Sequence, residues 1–351
     1  MKSPLDRILI VRLSALGDIV HALPVLAALK REWPRASVDW LVEEAYAPIL
    51  SLASGLDRRL IVRAREPVDR PDTLAFNGAL GYLRAVKYLR RQRYDAALDL
   101  QGLIKSALWA RLSGAKRIIG FDHTNLREPQ AAAFYTETIQ PQAARHIILK
   151  NLSVLYTLGA VVGPPELPLE PKPSAAIAAA VRGMGGARKY AVLNPGAAWP
   201  NKRWPPERFG ALAAAIHQRF GLRSFVTWGP AERDLAGTVV AASNGSAQEA
   251  PPTAVGDLAS LMRDAALVVS GDTGPLHVAA AMGAPLVGLY GPTWPQRNGP
   301  WHPDDEVISR AGECVCHHKR KCARGNPCID EIDVASVLAA IERRLARVKP
   351  A

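Results

Sequence analysis

Three loops in this chain carry residue types able to handle a phosphorylated substrate. In the first, LSALGDIVHALP (Leu13–Pro24), Gly17 permits a tight turn and Asp18 stands where an apolar run gives way to an amphipathic one. A carboxylate there either caps a helix or accepts a proton from an attacking hydroxyl. His21, three residues on, reads as helix packing. In the second, LNPGAAWPNKRWP (Leu193–Pro205), Lys202 and Arg203 follow a Gly/Pro loop, which suits phosphate oxygens or a plain solvated pair; the P-loop spacing is absent. In the third, SGDTGPLHVAAAMGAP (Ser270–Pro285), Asp272, Thr273 and Gly274 sit where a strand should feed a helix. Backbone amides and the Thr273 hydroxyl can converge there on a diphosphate, with His277 one turn further on, unless Asp272 serves only as a helix cap.

A fourth cluster has different chemistry. Cys314, Cys316, Cys322 and Cys328 fall together in CVCHHKRKCARGNPC, with His317 and His318 between them. Four thiolates can close a tetrahedral zinc or iron site, although C-x-C-x5-C-x5-C is not a paired CxxC pattern; free thiols and a redox switch are the other readings.

Placing the three loops requires strands that end at them. Ile8–Val11, Val38–Val42 and Asp95–Leu100 read as strands, with helical patterns over Ile19–Glu32 and Leu74–Arg91. The plan repeats with strands at Tyr190–Leu193, Ser224–Trp228, Leu267–Ser270 and Pro285–Tyr290, helices over Pro206–Phe220 and up to Met282, and a last helix over Val334–Arg347. Such alternation predicts an α/β chain with two doubly wound parallel sheets, whose ligands bind beyond the carboxyl ends of the strands. GPPELPLEPKP (Gly163–Pro173) is too proline-rich for a packed element. The expected organisation is a domain over 1–162, a linker over 163–174, a domain over 175–333 and a C-terminal helix over 334–351.

At 351 residues, 48% hydrophobic and 22% charged, the chain can bury two cores, and disorder is excluded. It has no apolar run long enough to span a membrane and no signal-peptide pattern, which points to the cytoplasm. The net charge is +12, with 23 Lys and Arg against 15 Asp and Glu in residues 1–162. The excess includes Arg58, Arg59, Arg63 and Arg65, then Arg84, Lys87, Arg90, Arg91 and Arg93, without the interleaved aromatics of a nucleic-acid surface. An anionic substrate or lipid surface fits better, and nucleic acid is not expected as a partner.

Together the three loops, with DLQGLIKSALWARL (Asp99–Leu112) and NLREPQAAAFY (Asn125–Tyr135), resemble the lipopolysaccharide heptosyltransferases of glycosyltransferase family 9 over nearly the whole chain. The last two segments are similar to those of members that add the first heptose to the Kdo region of lipid A. The resemblance implies a GT-B fold, with two Rossmann-like domains facing a cleft, and an inverting transfer from ADP-heptose that requires no cofactor, at the cytoplasmic face of the inner membrane. It implies that Asp18 is the general base and that Gly17, Lys202, Glu232, Asp272, Thr273, Gly274 and His277 serve the donor. Lys105 and Arg127 would meet the Kdo–lipid A acceptor, and the arginines at 58, 59 and 63 would face its anionic groups. Ala197 and Ala198 depart from the pattern, which has two threonines there. A later-acting heptosyltransferase with another acceptor, or a nucleotide-binding module without turnover, are the competing readings.

Overall fold

A computed structural model of the protein describes residues 5–62, 73–76, 78–141, 146–317, 319–322 and 324–348. The chain packs as two compact units, Met1–Glu170 and Pro171–Ala351, the division falling inside the proline-rich stretch.

The first unit is built on strands β1 (Arg7–Val11), β2 (Ser37–Glu43), β3 (Arg58–Val62), β4 (Thr73–Phe76), β5 (Ala96–Asp99), β6 (Arg117–Phe121) and β7 (Glu137–Ile139). They pair in parallel in the order β4-β3-β2-β1-β5-β6-β7. The second unit holds β8 (Tyr190–Asn194), β9 (Arg223–Val226), β10 (Ala247–Glu249), β11 (Leu267–Gly271), β12 (Leu286–Tyr290) and β13 (Glu306–Ser309), also parallel, in the order β10-β9-β8-β11-β12-β13. The central strands β8, β11 and β12 are buried at every position, as unbroken apolar runs covered by helices on both faces should be. Each sheet is thus doubly wound. Its switch point, where successive strands begin to be added on the other side, lies between β1 and β5 in the first unit and between β8 and β11 in the second.

Two expectations need correction. The helix expected over Ile19–Glu32 is two helices, Leu16–Val20 and Leu23–Glu32. Pro24 lies in the first turn of the second, where its missing N–H costs nothing, whereas a continuous helix would drive its ring into the carbonyl of Val20. The helix expected over Leu74–Arg91 begins at Gly78, because Thr73–Phe76 pairs with β3 as an edge strand. Leu74 and Phe76 alternate onto the core, a period of two that the longer helical pattern downstream obscures.

The C-terminal helix, Val334–Ala346, is capped by the Asp333 carboxylate accepting from the Ser336 amide at 2.6 Å. It buries Val337, Ala340 and Ile341 against Leu212 and Ile216 of the helix Pro206–Phe220. Arg344 Nε donates to the buried Asp305 at 2.8 Å, tying the helix to the β13 edge.

Candidate functional site

In the first unit the chemistry gathers beyond the carboxyl end of β1, at its border with β5. Arg12, the residue after β1, is buried; its Nη1 donates to the Leu100 carbonyl at 2.5 Å and its Nη2 lies 2.7 Å from Asp18 Oδ2. Asp18 is the third residue of the short helix Leu16–Val20, not its cap, and accepts from the Ala15 amide at 3.3 Å. Its side chain is 45% exposed, so the carboxylate is gripped from behind and open in front. Gly17 is helical and buried, which replaces the tight turn expected of it. His21 is buried, its ring edge-on to His146 at 5.8 Å, a packing role.

Why the loop after β1 holds still is explained by the segment after β5. Asp99 is fully buried and accepts from the Gln101 and Gly102 amides at 2.9 and 3.2 Å, from Ser106 Oγ at 2.9 Å and from the Tyr135 hydroxyl at 2.7 Å. Burial drives its carboxyl above the ordinary range, and these four donors pull in the opposite direction without reversing it. Gly102 takes a left-handed φ of +72°, the turn that lets Gln101 Oε1 accept from the Leu13 amide at 2.7 Å. Neither Arg12 nor Gln101 was legible as a site residue, since Arg12 meets Asp18 and the Leu100 carbonyl, and Gln101 the Leu13 amide, only once β1 and β5 are paired. The Asp–x–Gln–Gly run itself was the available signal.

Lys105 opens the helix Ile104–Leu112 and pairs with Glu43, at the carboxyl end of β2, at 2.9 Å. Glu128 accepts from the Ile104 amide at 2.7 Å, which brings the exposed Arg127 to the same helix start. Arg58 is elsewhere. It stands at the amino end of β3, its Nη1 donating to the Tyr88 hydroxyl at 2.6 Å and to Gln92 at 3.3 Å. Arg59 beside it is buried. The fold therefore does not bring this pair to the sheet end that launches Asp18. Arg63 and Arg65 lie outside the described residues.

The second unit builds a denser arrangement beyond β8 and β11. Asp272 is buried and accepts on all sides: from Lys202 Nζ at 2.5 Å, Thr293 Oγ1 at 2.6 Å and Asn298 Nδ2 at 2.7 Å, with His277 Nε2 at 3.3 Å. Burial alone would raise its carboxyl; the His277 hydrogen bond and the charges of Lys202 and His277 override this and hold it far below the usual carboxylate range. Asp272 is thus an ionised anchor. Thr273, not Asp272, is the N-cap of the helix Gly274–Ala281, and the Asp272 amide is already committed to the Leu289 carbonyl at 3.2 Å. That removes one of the amides expected to meet a diphosphate. The Thr273 hydroxyl, the start of the helix at Gly274 and the remaining donors of Lys202 are left to do so.

Two glycines allow the loop after β8 to sit this close. A Cβ on Gly271 would come within 2.8 Å of the Lys202 carbonyl, and one on Gly196 within 2.2 Å of Glu232 Oε2. Glu232 accepts from the Gly229 amide at 3.2 Å and lies 3.6 Å from Arg203, while Arg203 Nε donates to the Ala197 carbonyl at 2.8 Å. Asn194 holds the bottom together, its Nδ2 reaching the Gly196 carbonyl and Ser270 Oγ at 3.1 Å and Thr273 Oγ1 at 3.3 Å. Asn194, Thr293 and Asn298 are site residues that sequence reasoning missed, because each acts through another side chain and carries no motif of its own.

A lysine is thus fixed on a buried aspartate at one switch point, and a half-exposed aspartate on a buried arginine at the other. The model of glycosyltransferase family 9 (heptosyltransferase) matches residues 82–327. The chain belongs to glycosyltransferase family 9. Among curated proteins this family 9 member is 30% identical over 322 residues to lipopolysaccharide heptosyltransferase 1 of Pseudomonas aeruginosa, covering 90% of this chain and 87% of that one. It is 27% identical over 340 residues to lipopolysaccharide heptosyltransferase 3 of Escherichia coli, covering 94% and 96%. Among solved structures it superposes on the E. coli heptosyltransferase WaaC with ADP with a TM-score of 0.73 at 25% identity, covering 96% of this chain and 99% of the other. The two Rossmann-like units are those of the GT-B glycosyltransferases, as the resemblance implied.

Proposed function

We propose that this protein is a heptosyltransferase I, moving heptose from ADP-heptose to the Kdo region of lipid A with inversion at the anomeric carbon. The observation that carries the donor half is the Asp272–Lys202 pair, set by Gly271 where a diphosphate can lie across Lys202, the Thr273 hydroxyl and the start of the helix Gly274–Ala281. Glu232, held by the Gly229 amide, would take the ribose. In this reading the attacking acceptor hydroxyl gives its proton to Asp18 as its oxygen bonds to the anomeric carbon. The bond to the diphosphate breaks in line, and ADP leaves with its new charge on Lys202 and nearby donors. Arg12 keeps Asp18 aimed. One displacement suffices, so no covalent sugar–enzyme intermediate and no cofactor enter the step. The four cysteines take no part in it.

The acceptor is a glycolipid, and the first unit carries a surface suited to one. Leu80 and Leu83, on the helix Gly78–Gln92, are 70% and 68% exposed, and Leu108 on the helix Ile104–Leu112 is 43% exposed. Lys87, Arg90 and Lys105 line the same groove as Leu83 and Leu108. Apolar side chains rimmed by cations match an anionic bilayer surface, which supports peripheral contact with the inner membrane. No described helix is long and apolar enough to cross a membrane.

The deciding experiment supplies the purified protein with ADP-heptose and either bare or mono-heptosylated Kdo–lipid A, read by mass spectrometry. Extension of the bare acceptor is expected. Extension of the mono-heptosylated acceptor alone would instead make it a later-acting family 9 heptosyltransferase, and extension of neither, with ADP still bound, would favour a module without turnover.

A further inference from the structure

Of the four cysteines, Cys314, Cys316 and Cys328 are buried, and all four are free thiols. Cys316 Sγ lies 3.5 Å from both Cys314 Sγ and Cys322 Sγ, and Cys328 packs on Cys314 in the same cluster. Apart from short 3-10 turns at its ends, the described part of Cys314–Cys328 contains neither helix nor strand. Something other than a hydrogen-bond ladder must therefore fix it.

We propose that Cys314, Cys316, Cys322 and Cys328 form a tetrathiolate site for a thiophilic divalent cation, zinc or ferrous iron, that braces the phosphate-binding loop after β8. A tetrahedral zinc with sulfur bonds of about 2.3 Å has sulfur–sulfur edges of about 3.8 Å. The two observed sulfur–sulfur contacts of 3.5 Å lie within a few tenths of an ångström of such an edge. Among the described residues no group of three or more His, Cys, Asp or Glu stands ready at coordination spacing, so binding requires the four thiols to rearrange around the cation. A bound cation displaces the thiol protons, since the thiolate is the ligand. Four thiolates around a divalent cation carry a net charge of −2, and Lys319, Arg320, Lys321 and Arg324 lie in the same loop to offset it. The His317 ring stacks on Trp294 at 5.1 Å and its Nδ1 lies 3.1 Å from the Pro292 carbonyl, and the four sulfurs complete a tetrahedral shell without it. His318 lies outside the described residues.

The loop's backbone shows what the site would brace. Asn201 Nδ2 donates to the Lys319 carbonyl at 2.9 Å, and Arg320 Nη2 donates to the Ala198 carbonyl at 3.4 Å. Asn201 lies in the turn Pro200–Lys202 that delivers Lys202 to Asp272, and Ala198 just precedes it. A cation closing the cysteine loop thus fixes two contacts on the donor lysine's own loop.

The test measures metal in the full-length protein purified without chelator, by plasma mass spectrometry. About one zinc or iron per chain is expected, and Cys322→Ser, at the most exposed of the four, should lose it. Wild-type protein stripped of metal and titrated with Co2+ should give sulfur-to-cobalt charge-transfer absorption with a 1:1 endpoint, which does not depend on whether the variant folds. Protein that carries no metal, shows no cobalt absorption and titrates as four free thiols, or as a Cys314–Cys316 disulfide, overturns the site. The bracing rests on the donor reading above, and metal stoichiometry does not, so the two can fail separately. Stripping the metal should weaken ADP binding about fivefold or more. Unchanged ADP affinity in metal-free protein overturns the bracing.

Discussion

Asp18 and Asp272 are both carboxylates just past a parallel strand, yet their surroundings assign them opposite duties. Asp18 is half exposed with one cation behind it, and Asp272 is sealed in with four partners. Asp18→Asn should lower kcat by about 10²- to 10⁴-fold, the usual worth of a general base, and leave ADP binding by calorimetry intact. Arg12 acts through Asp18: Arg12→Met should reduce kcat with donor KM unchanged, and Arg12→Lys should recover part of the loss. An equal rise in donor KM would count against a positioning role. Asp272 also gives a pH signature. Its folded carboxyl is held far below the unfolded value of about 3.9, so its stabilising contribution is complete above about pH 4 and is lost as the pH falls below that. Urea midpoints from pH 6 to pH 3 should therefore fall less steeply for Asp272→Asn than for the wild type. Parallel declines would mean other carboxylates dominate the acid limb.

At the scale of elements, the working parts are strand ends and the loops they release. The loop after β8 crosses β11 only because Gly271 has no side chain, and Gly271→Ala should push the Lys202 backbone away. ADP affinity should drop while the β8–β11 ladder survives, visible as lost binding with a modest change in Tm. The helices Gly78–Gln92 and Ile104–Leu112 present the other testable element. Leu83→Glu removes an exposed apolar side chain, so it should cost within about 0.5 kcal/mol of stability. It should nevertheless reduce flotation with vesicles containing anionic phospholipid. Equal flotation of variant and wild type would remove this face from membrane contact.

For the whole molecule, charge and division into units matter more than any single contact. The net +12 is mostly carried by residues 1–162, the part assigned here to the acceptor. Binding to anionic vesicles should consequently weaken as salt rises from 50 to 500 mM, over which the Debye length shrinks from about 14 to about 4 Å. ADP binding, proposed to rest on the partly buried Lys202, should change much less. Matching salt dependence for both ligands would show that the basic excess is not specific to the lipid side.

The sequence by itself determined the two alternating α/β halves, the loops that carry Asp18, Lys202 and Asp272, and the clustering of the cysteines. Each of these is a local pattern: periodicity, a glycine beside a polar residue, or spacing along the chain. The strand Thr73–Phe76 was hidden, because edge pairing with β3 is a decision of the sheet and its four residues are outweighed by the helix that follows. Only the tertiary structure decided that Arg12 grips Asp18, that Gln101 fixes Leu13, that Thr293 and Asn298 close on Asp272, and that Asn194 ties Ser270 to Thr273. It also took Arg58 away from the working end of its sheet and gave it to Tyr88. The physical reason is common to all of these. Contacts between residues tens of positions apart are set by strand order and register, and a parallel sheet fixes those only when its whole core closes.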